Sequence, residues 1–189
     1  MTLDSLILFV HVTAVLSMFA ALGFEALSLF HLRRASTLSE ARRWIDPVPG
    51  LPFVAIGSLL FIFFSGVYLA VRMSILDLAW PKVTIIAILL IGPLGALTGK
   101  RMRAIRRACA DAKAINSDLL SRLRDPFLNV SLGIRISVFL GIVLLMSAKP
   151  ELWESISIVG VSVLLGLLSS VLVWRRSSSL SGSSADLGD

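Results

Sequence analysis

The feature that most constrains this chain is a set of five apolar stretches, each about long enough to cross a lipid bilayer. A helix rises about 1.5 Å per residue, so roughly 20 apolar residues cross about 30 Å of hydrocarbon. The chain is 56% hydrophobic and only 16% charged, whereas soluble domains carry roughly 25% charged residues. We therefore predict an all-α, polytopic transmembrane helical bundle. Its five spans are expected at about residues 3–31, 52–71, 80–98, 127–146 and 153–174.

The segments outside the spans complete a single transmembrane domain over residues 1–176. Residues 101–124 are basic and carry apolar side chains at helical spacing, which predicts an amphipathic cytoplasmic helix. Residues 177–189 are mostly serine, glycine and aspartate, so we expect a disordered cytoplasmic tail. The first apolar run is too long for the core of a signal peptide, and we expect it to be a retained span.

Lysine and arginine are distributed unevenly over the connecting segments, and this predicts the orientation of the chain. Cytoplasmic loops are enriched in these two residues. The segments after the first, third and fifth spans hold fourteen of them, against three on the other side. We therefore place the amino terminus outside and the carboxyl terminus in the cytoplasm. The fourteen are Arg33, Arg34, Arg42, Arg43, Lys100, Arg101, Arg103, Arg106, Arg107, Lys113, Arg122, Arg124, Arg175 and Arg176.

The same charge pattern indicates the partners of the chain. The lipid bilayer is the expected partner, with anionic headgroups at the basic loops, where each Lys or Arg contributes about 1 kcal/mol. Nucleic acid is not expected, because the preference for a positive cytoplasmic side already accounts for the charge. A homo-oligomer is compatible with these features. Cys109 is the single cysteine, which excludes an internal disulfide, and no metal site is predicted from two histidines and one cysteine.

Polar residues inside the spans carry the functional hypotheses, because a charge at the centre of a span costs about 2.5 to 3.5 kcal/mol. His11, Met18 and Glu25 are spaced by seven residues and so form one stripe on the first span. Arg135 lies about 13 Å deep in the fourth span, at nearly the depth of Glu25. We predict a buried ion pair between Glu25 and Arg135. It either locks two helices in register or belongs to a proton or substrate path.

His11 and Lys82 have competing interpretations. An imidazole inside a bundle can ligate haem iron or copper, relay protons, or hydrogen-bond a neighbouring serine or carbonyl. Lys82 begins the third span at a depth close to His11, where a lysine can also extend its ammonium to the interface. The sequence contains no Walker loop, G-x-S-x-G, H-E-x-x-H or C-x-x-C motif, so it predicts no reaction.

Several short motifs resemble those of a bacterial family. They are Ser65-Gly66-Val67-Tyr68-Leu69-Ala70, Trp80-Pro81-Lys82, Gly99-Lys100-Arg101-Met102-Arg103 and the opening His11-Val12. Together they resemble the predicted integral membrane proteins called domain of unknown function 2269, over about residues 5–175. The resemblance implies the bacterial cytoplasmic (inner) membrane as the location.

That family is distantly similar to the copper-resistance D membrane proteins and to the J-type protoporphyrinogen oxidase. The second similarity implies that His11 and Lys82 form a haem b site, with His11 as an axial ligand. No histidine follows Lys82 in the third span, so the sequence predicts no second axial ligand. Three functions stay open at this point. They are an integral membrane protein whose polar residues are mainly structural, a haem-binding redox protein, and a small-solute or ion transporter using Glu25 and Arg135.

Overall fold

The computed structural model describes residues 2–45, 50–112, 114 and 116–182, with side chains as far as Ser170. The described residues form seven helices and no strand. These helices are α1 (Leu3–Arg34), α2 (Leu38–Ile45), α3 (Leu51–Arg72), α4 (Ala79–Asp111), α5 (Ser117–Leu123), α6 (Pro126–Ala148) and α7 (Leu152–Gly182). Five helical segments, carried by α1, α3, α4, α6 and α7, are long and apolar enough to cross a membrane. The predicted all-α bundle with five spans is confirmed.

Two of the spanning helices begin at sequence signals that suit a helix start. Gly50 precedes α3 with φ at +84°, a left-handed conformation that glycine adopts without strain, and Pro52 follows in the first turn. Asp125 precedes α6, and its side chain accepts the backbone N–H of Phe127. Pro126 then occupies the first helical position, where its missing N–H has no cost.

The third span differs from its predicted bounds. We expected a span over residues 80–98 and a separate amphipathic helix over 101–124, but α4 runs without a break to Asp111. Lysine, arginine and alanine favour helix, and the single Gly99 between the apolar and basic parts does not interrupt α4. The second half of the amphipathic segment is the separate helix α5. Its N-cap residue is Asn116, whose side chain accepts the backbone N–H of Leu119.

The carboxyl-terminal helix also extends beyond its predicted end. The backbone of α7 is helical to Gly182, although we expected disorder from residue 177. Continuing an existing helix requires no new nucleus, so a serine-rich sequence can extend a long span for several residues. The rest of the predicted tail, residues 183–189, lies outside the described residues.

The helices pack as a bundle in which α6 lies closest to α7, α1 lies along α3, and α4 packs on α6. The approach of α6 to α7 is closest at Gly133 and Gly166. A Cβ atom added at Gly166 would lie 2.7 Å from the Cα of Ile134 and 2.8 Å from the carbonyl oxygen of Gly133. Only glycine fits at this crossing, so two backbones touch where side chains would otherwise hold them apart.

The exterior of the bundle is apolar, as expected of a surface that faces lipid. Phe53 and Trp153 are each 79% exposed and Leu90 is 70% exposed. In contrast, the stripe predicted on α1 faces the interior, where His11 and Met18 are buried. The prediction that this face of α1 points into the bundle is confirmed.

Candidate functional site

The strongest polar contact inside the bundle joins α1 to α6. Arg135 Nη1 donates a hydrogen bond of 3.0 Å to Glu25 Oε2, and Arg135 Nη2 donates a second bond to Glu25 Oε1. The Arg135 side chain is only 10% exposed and that of Glu25 is 20% exposed. Two parallel charge-assisted bonds form the most directional geometry available to this pair. The structure therefore brings together Glu25 and Arg135, which the sequence analysis paired because of their similar depth in the membrane.

A chain of hydroxyl groups extends the ion pair to α4. Arg135 Nε donates to the carbonyl oxygen of Ser131 over 3.4 Å, and the hydroxyls of Ser131 and Thr98 lie 2.6 Å apart. Both hydroxyls also lie within reach of the carbonyl oxygen of Leu94, Thr98 at 3.0 Å and Ser131 at 3.5 Å. A Cβ atom added at Gly95 of α4 would lie 3.8 Å from Cδ of Arg135, so the arginine side chain faces α4 at this glycine. Three helices thus meet at one polar cluster, formed by Glu25, Arg135, Ser131 and Thr98.

His11 forms a second polar contact, between α1 and α3. Its Nδ1 lies 2.9 Å from the hydroxyl of Ser65, and the histidine is buried. The Ser65 hydroxyl also lies within reach of the carbonyl oxygen of Phe61. In the tautomer with a proton on Nδ1, His11 donates to Ser65 and Nε2 keeps its lone pair, and in the other tautomer Nδ1 accepts from Ser65. A Cβ atom at Gly66 would lie 3.2 Å from Cε1 of His11, so glycine makes room for the ring.

Lys82 lies apart from His11. It is exposed at the start of α4, and its Nζ donates to the carbonyl oxygen of Asp77 over 3.4 Å. The structure does not bring Lys82 and His11 together through any described contact. Trp80 and Thr84 lie on the same part of α4, and their buried Nε1 and Oγ1 atoms have no hydrogen-bond partner among the described residues.

The basic end of the bundle is organised by Arg42 of α2. Its Nε donates to the carbonyl oxygen of Cys109 at 3.0 Å, and its Nη2 donates to those of Ala110 and Ala112, each at 3.1 Å. These carbonyls belong to the end of α4, where the helix itself supplies no N–H donors. A cation there also complements the negative end of the helix dipole. Arg42 therefore caps α4.

Sequence reasoning did not identify the hydroxyl partners of the site, which are Ser65, Thr98 and Ser131. Serine and threonine are common in membrane helices and often bond only their own backbone. Ser65 had a usable signal, because it precedes Gly66 in the motif quoted above. For the other two, the rotation of α4 against α6 decides the contact, and a single sequence does not specify that rotation.

Comparison with known proteins identifies no relative of this chain. No family model, curated protein or solved structure matches the chain. Five apolar helices and a polar cluster enclosed by three of them define a multi-pass α-helical membrane protein. The likeness to domain of unknown function 2269 rests on the short motifs alone.

Proposed function

We propose that the polar cluster is a structural lock, holding α1 against α4 and α6 in a protein of the bacterial cytoplasmic membrane. One observation carries this proposal. Arg135 donates two hydrogen bonds to the carboxylate of Glu25. The hydroxyls of Ser131 and Thr98 are hydrogen-bonded to each other, and Thr98 also bonds the carbonyl oxygen of Leu94. Among the described residues, the buried polar atoms without a partner lie elsewhere. Every polar side chain of this cluster already has a partner within the bundle, which favours a structural role over a substrate site.

The energetics favour the same function. Removing one member of a buried ion pair typically costs about 3 to 5 kcal/mol, because it leaves the other charge without compensation. Replacing both members by apolar residues of similar size is often neutral. A lock of this kind therefore contributes specificity of packing rather than a large net stability, since only one arrangement of the helices pairs both charges.

Charge reversal tests the lock. We expect Glu25→Arg and Arg135→Glu each to lower the yield of folded protein in detergent, and the double reversal to recover much of it. Glu154→Gln, at an exposed position on α7, is the control and should behave as the wild type. A double reversal no better folded than either single variant would contradict the proposal.

Transport is the alternative use of the same pair, and the same variants address it. Wild-type protein in liposomes with a trapped pH dye should conduct no more protons than empty liposomes. A proton leak in the wild type that Glu25→Gln abolishes, with folding retained, would favour transport over the lock.

The proposed orientation places the amino terminus outside and the basic ends of α1 and α4 in the cytoplasm, next to anionic headgroups. Its support is the bias of fourteen basic residues to three. Reporter fusions at each end test it. An alkaline phosphatase fusion should be active at the amino terminus and inactive at the carboxyl terminus, and equal activity at both ends would refute the orientation.

A second candidate function, haem binding through His11, is favoured by the contact of its Nδ1 with the hydroxyl of Ser65 in the bundle interior. Haem would supply one-electron chemistry, and Nε2 of His11 would hold the iron in the tautomer in which Nδ1 donates to Ser65. Ser65 would fix the ring through Nδ1, which is the usual support for a ligating histidine. The imidazole therefore fits this role, whereas Lys82 has no described contact that would make it part of the same site.

Absorption spectroscopy tests the haem proposal without any assay of activity. Protein purified with added haem should show a Soret band that His11→Ala removes. His31→Ala is the matched control, because His31 is the other histidine and should leave the band unchanged. A wild-type sample that takes up no haem, or equal bands in both variants, would refute His11 as the ligand.

A further inference from the structure

Two polar side chains at the amino-terminal end of α4 are enclosed by the bundle without a hydrogen-bond partner. Trp80 is 9% exposed and Thr84 is 5% exposed. In the part of the chain that the structure describes, neither Nε1 of Trp80 nor Oγ1 of Thr84 has a hydrogen bond. A buried polar group of this kind is costly, because it has lost its hydration without replacement. Two such groups on one turn of a helix indicate a ligand that bonds both of them.

The two side chains lie on one face of α4, one turn apart. Side chains four residues apart on a helix are neighbours, with about 5 to 6 Å between their Cβ atoms. Each Cβ atom also tilts toward the amino end of the helix, so the hydroxyl of Thr84 lies over the turn that begins at Trp80. A threonine inside a helix often bonds the carbonyl oxygen four residues earlier, as Thr98 bonds that of Leu94. Thr84 forms no such bond within the described residues, so its hydroxyl is available to a ligand.

The carboxyl end of α6 lies at the level of this turn. α4 and α6 are successive spans that run in opposite directions and touch at Thr98 and Ser131. Trp80 precedes Thr98 by eighteen residues, which is about 27 Å and five complete turns, so the two share one face of α4. The same count from Ser131 along α6 reaches Lys149, directly after the helix ends. The last carbonyl groups of a helix have no N–H donor within it, so this end supplies acceptors for a ligand that also donates.

The surroundings of the two atoms determine the class of ligand. It is small, because both polar atoms are fully buried. It is neutral, because neither an indole nor a hydroxyl brings a charge that would balance an ion in the bundle interior. Water meets both conditions, since its oxygen accepts from Trp80 and Thr84 while its protons go to carbonyl oxygens, and buried waters form about three hydrogen bonds. We propose that one enclosed water molecule binds between Trp80 and Thr84 of α4 and the carboxyl end of α6.

Hydroxyl-radical footprinting of the full chain in detergent tests this proposal. Radicals formed by a short X-ray pulse oxidise side chains that contact water, and mass spectrometry locates the added oxygen. We expect Trp80 to be oxidised in the wild type although it is buried, and about tenfold less in Thr84→Val, in which the water loses one hydrogen bond. Thr13→Val is the matched control, because Thr13 is exposed on α1, and it should leave the oxidation of Trp80 unchanged.

Mixing with heavy-oxygen water just before the pulse separates an enclosed water from bulk solvent. Met73, which is 63% exposed in the connection before α4, should gain the heavy isotope at once, whereas an enclosed water exchanges slowly and should leave the ordinary isotope on Trp80. Thr84→Ser keeps the hydroxyl and should be oxidised as the wild type is, so this variant decides the proposal even where Thr84→Val fails to fold. The proposal is overturned by no oxidation of Trp80, by equal oxidation in Thr84→Val, by a loss in Thr84→Ser or Thr13→Val, or by heavy oxygen at Trp80 as rapidly as at Met73.

Discussion

The crossing of α6 and α7 offers a prediction whose size follows from the distances. In Gly166→Ala, the new Cβ atom would lie 2.7 Å from the Cα of Ile134, whereas ordinary contacts begin at 3.4 Å. Both atoms belong to backbones, so neither can rotate away, and the helices must separate by about 0.7 Å at this point. A gap of that size forfeits roughly a quarter to a half of the dispersion energy of the atoms that line it.

We therefore expect Gly166→Ala to lower the free energy of unfolding by about 2 to 3 kcal/mol, toward the upper end for overpacked cores. Gly160→Ala on the same helix is the control, because its Cβ atom meets nothing within 4 Å. There the substitution should be neutral or stabilise the helix by about 0.5 to 1 kcal/mol. The two identical substitutions, six residues apart on α7, should thus have effects of opposite sign or clearly different size.

Titration from mixed micelles with sodium dodecyl sulfate, followed by tryptophan fluorescence and circular dichroism, measures the difference. Since all the variants share one detergent system, the shift in the unfolding midpoint reports the change in packing. If Gly166→Ala and Gly160→Ala unfold at the same point, then α6 and α7 do not touch at these glycines and the helix pairing is wrong.

Three further predictions concern the surroundings of the lock. Hydrogen bonds from the Ser36 backbone, the Ser36 hydroxyl and Thr37 hold the pKa of Glu40 below its ordinary value of 4.5. Ionised Glu40 therefore stabilises the folded state at pH values above its ordinary pKa, and this contribution is lost as the pH falls through the lowered pKa. The protection factors of the α2 amides, which are corrected for the intrinsic pH dependence of exchange, should fall below about pH 4.5 in the wild type and stay constant in Glu40→Gln. Arg42→Gln should speed hydrogen exchange around Cys109 with little change in α1, and unchanged exchange would show that the cap is dispensable. Thr98→Val should lower the free energy of unfolding by about 0.5 to 1.5 kcal/mol in the same titration, because it removes the hydrogen bond between Thr98 on α4 and Ser131 on α6. Wild-type stability would contradict the hydroxyl chain.

The five spans were predictable because hydrophobicity over some 20 residues is a strong signal that tertiary contacts seldom override. The pairing of Glu25 with Arg135 was predictable for a related reason. Two unlike charges in hydrocarbon at one depth have few alternatives to each other. Contacts that depend on how each helix is rotated about its own axis could not be predicted from the sequence. Lys82 shares a depth with His11, yet its ammonium bonds the Asp77 carbonyl instead.

The amino-terminal end of α1 carries a second ion pair between helices, which is of the same kind as the lock. Asp4 accepts hydrogen bonds from the hydroxyl of Tyr68 at 3.2 Å and from Arg72 Nε and Nη2, each at 3.3 Å. The Asp4 and Arg72 side chains are about half exposed, so this ion pair contributes less than the buried one. Its location is informative nonetheless, since it ties α1 to α3 on the same face as His11.

The spacing of these contacts explains how one helix face meets two partners. Asp4, His11, Met18 and Glu25 follow one another at intervals of seven residues, and each interval turns the face by about 20°. Over three intervals the drift is about 60°. Asp4 and His11 therefore contact α3, whereas Glu25 has turned far enough to meet α6. A strict seven-residue repeat on a straight helix cannot keep a single partner across the whole membrane. Glu25 therefore pairs with Arg135 on α6, whereas His11 contacts Ser65 on α3.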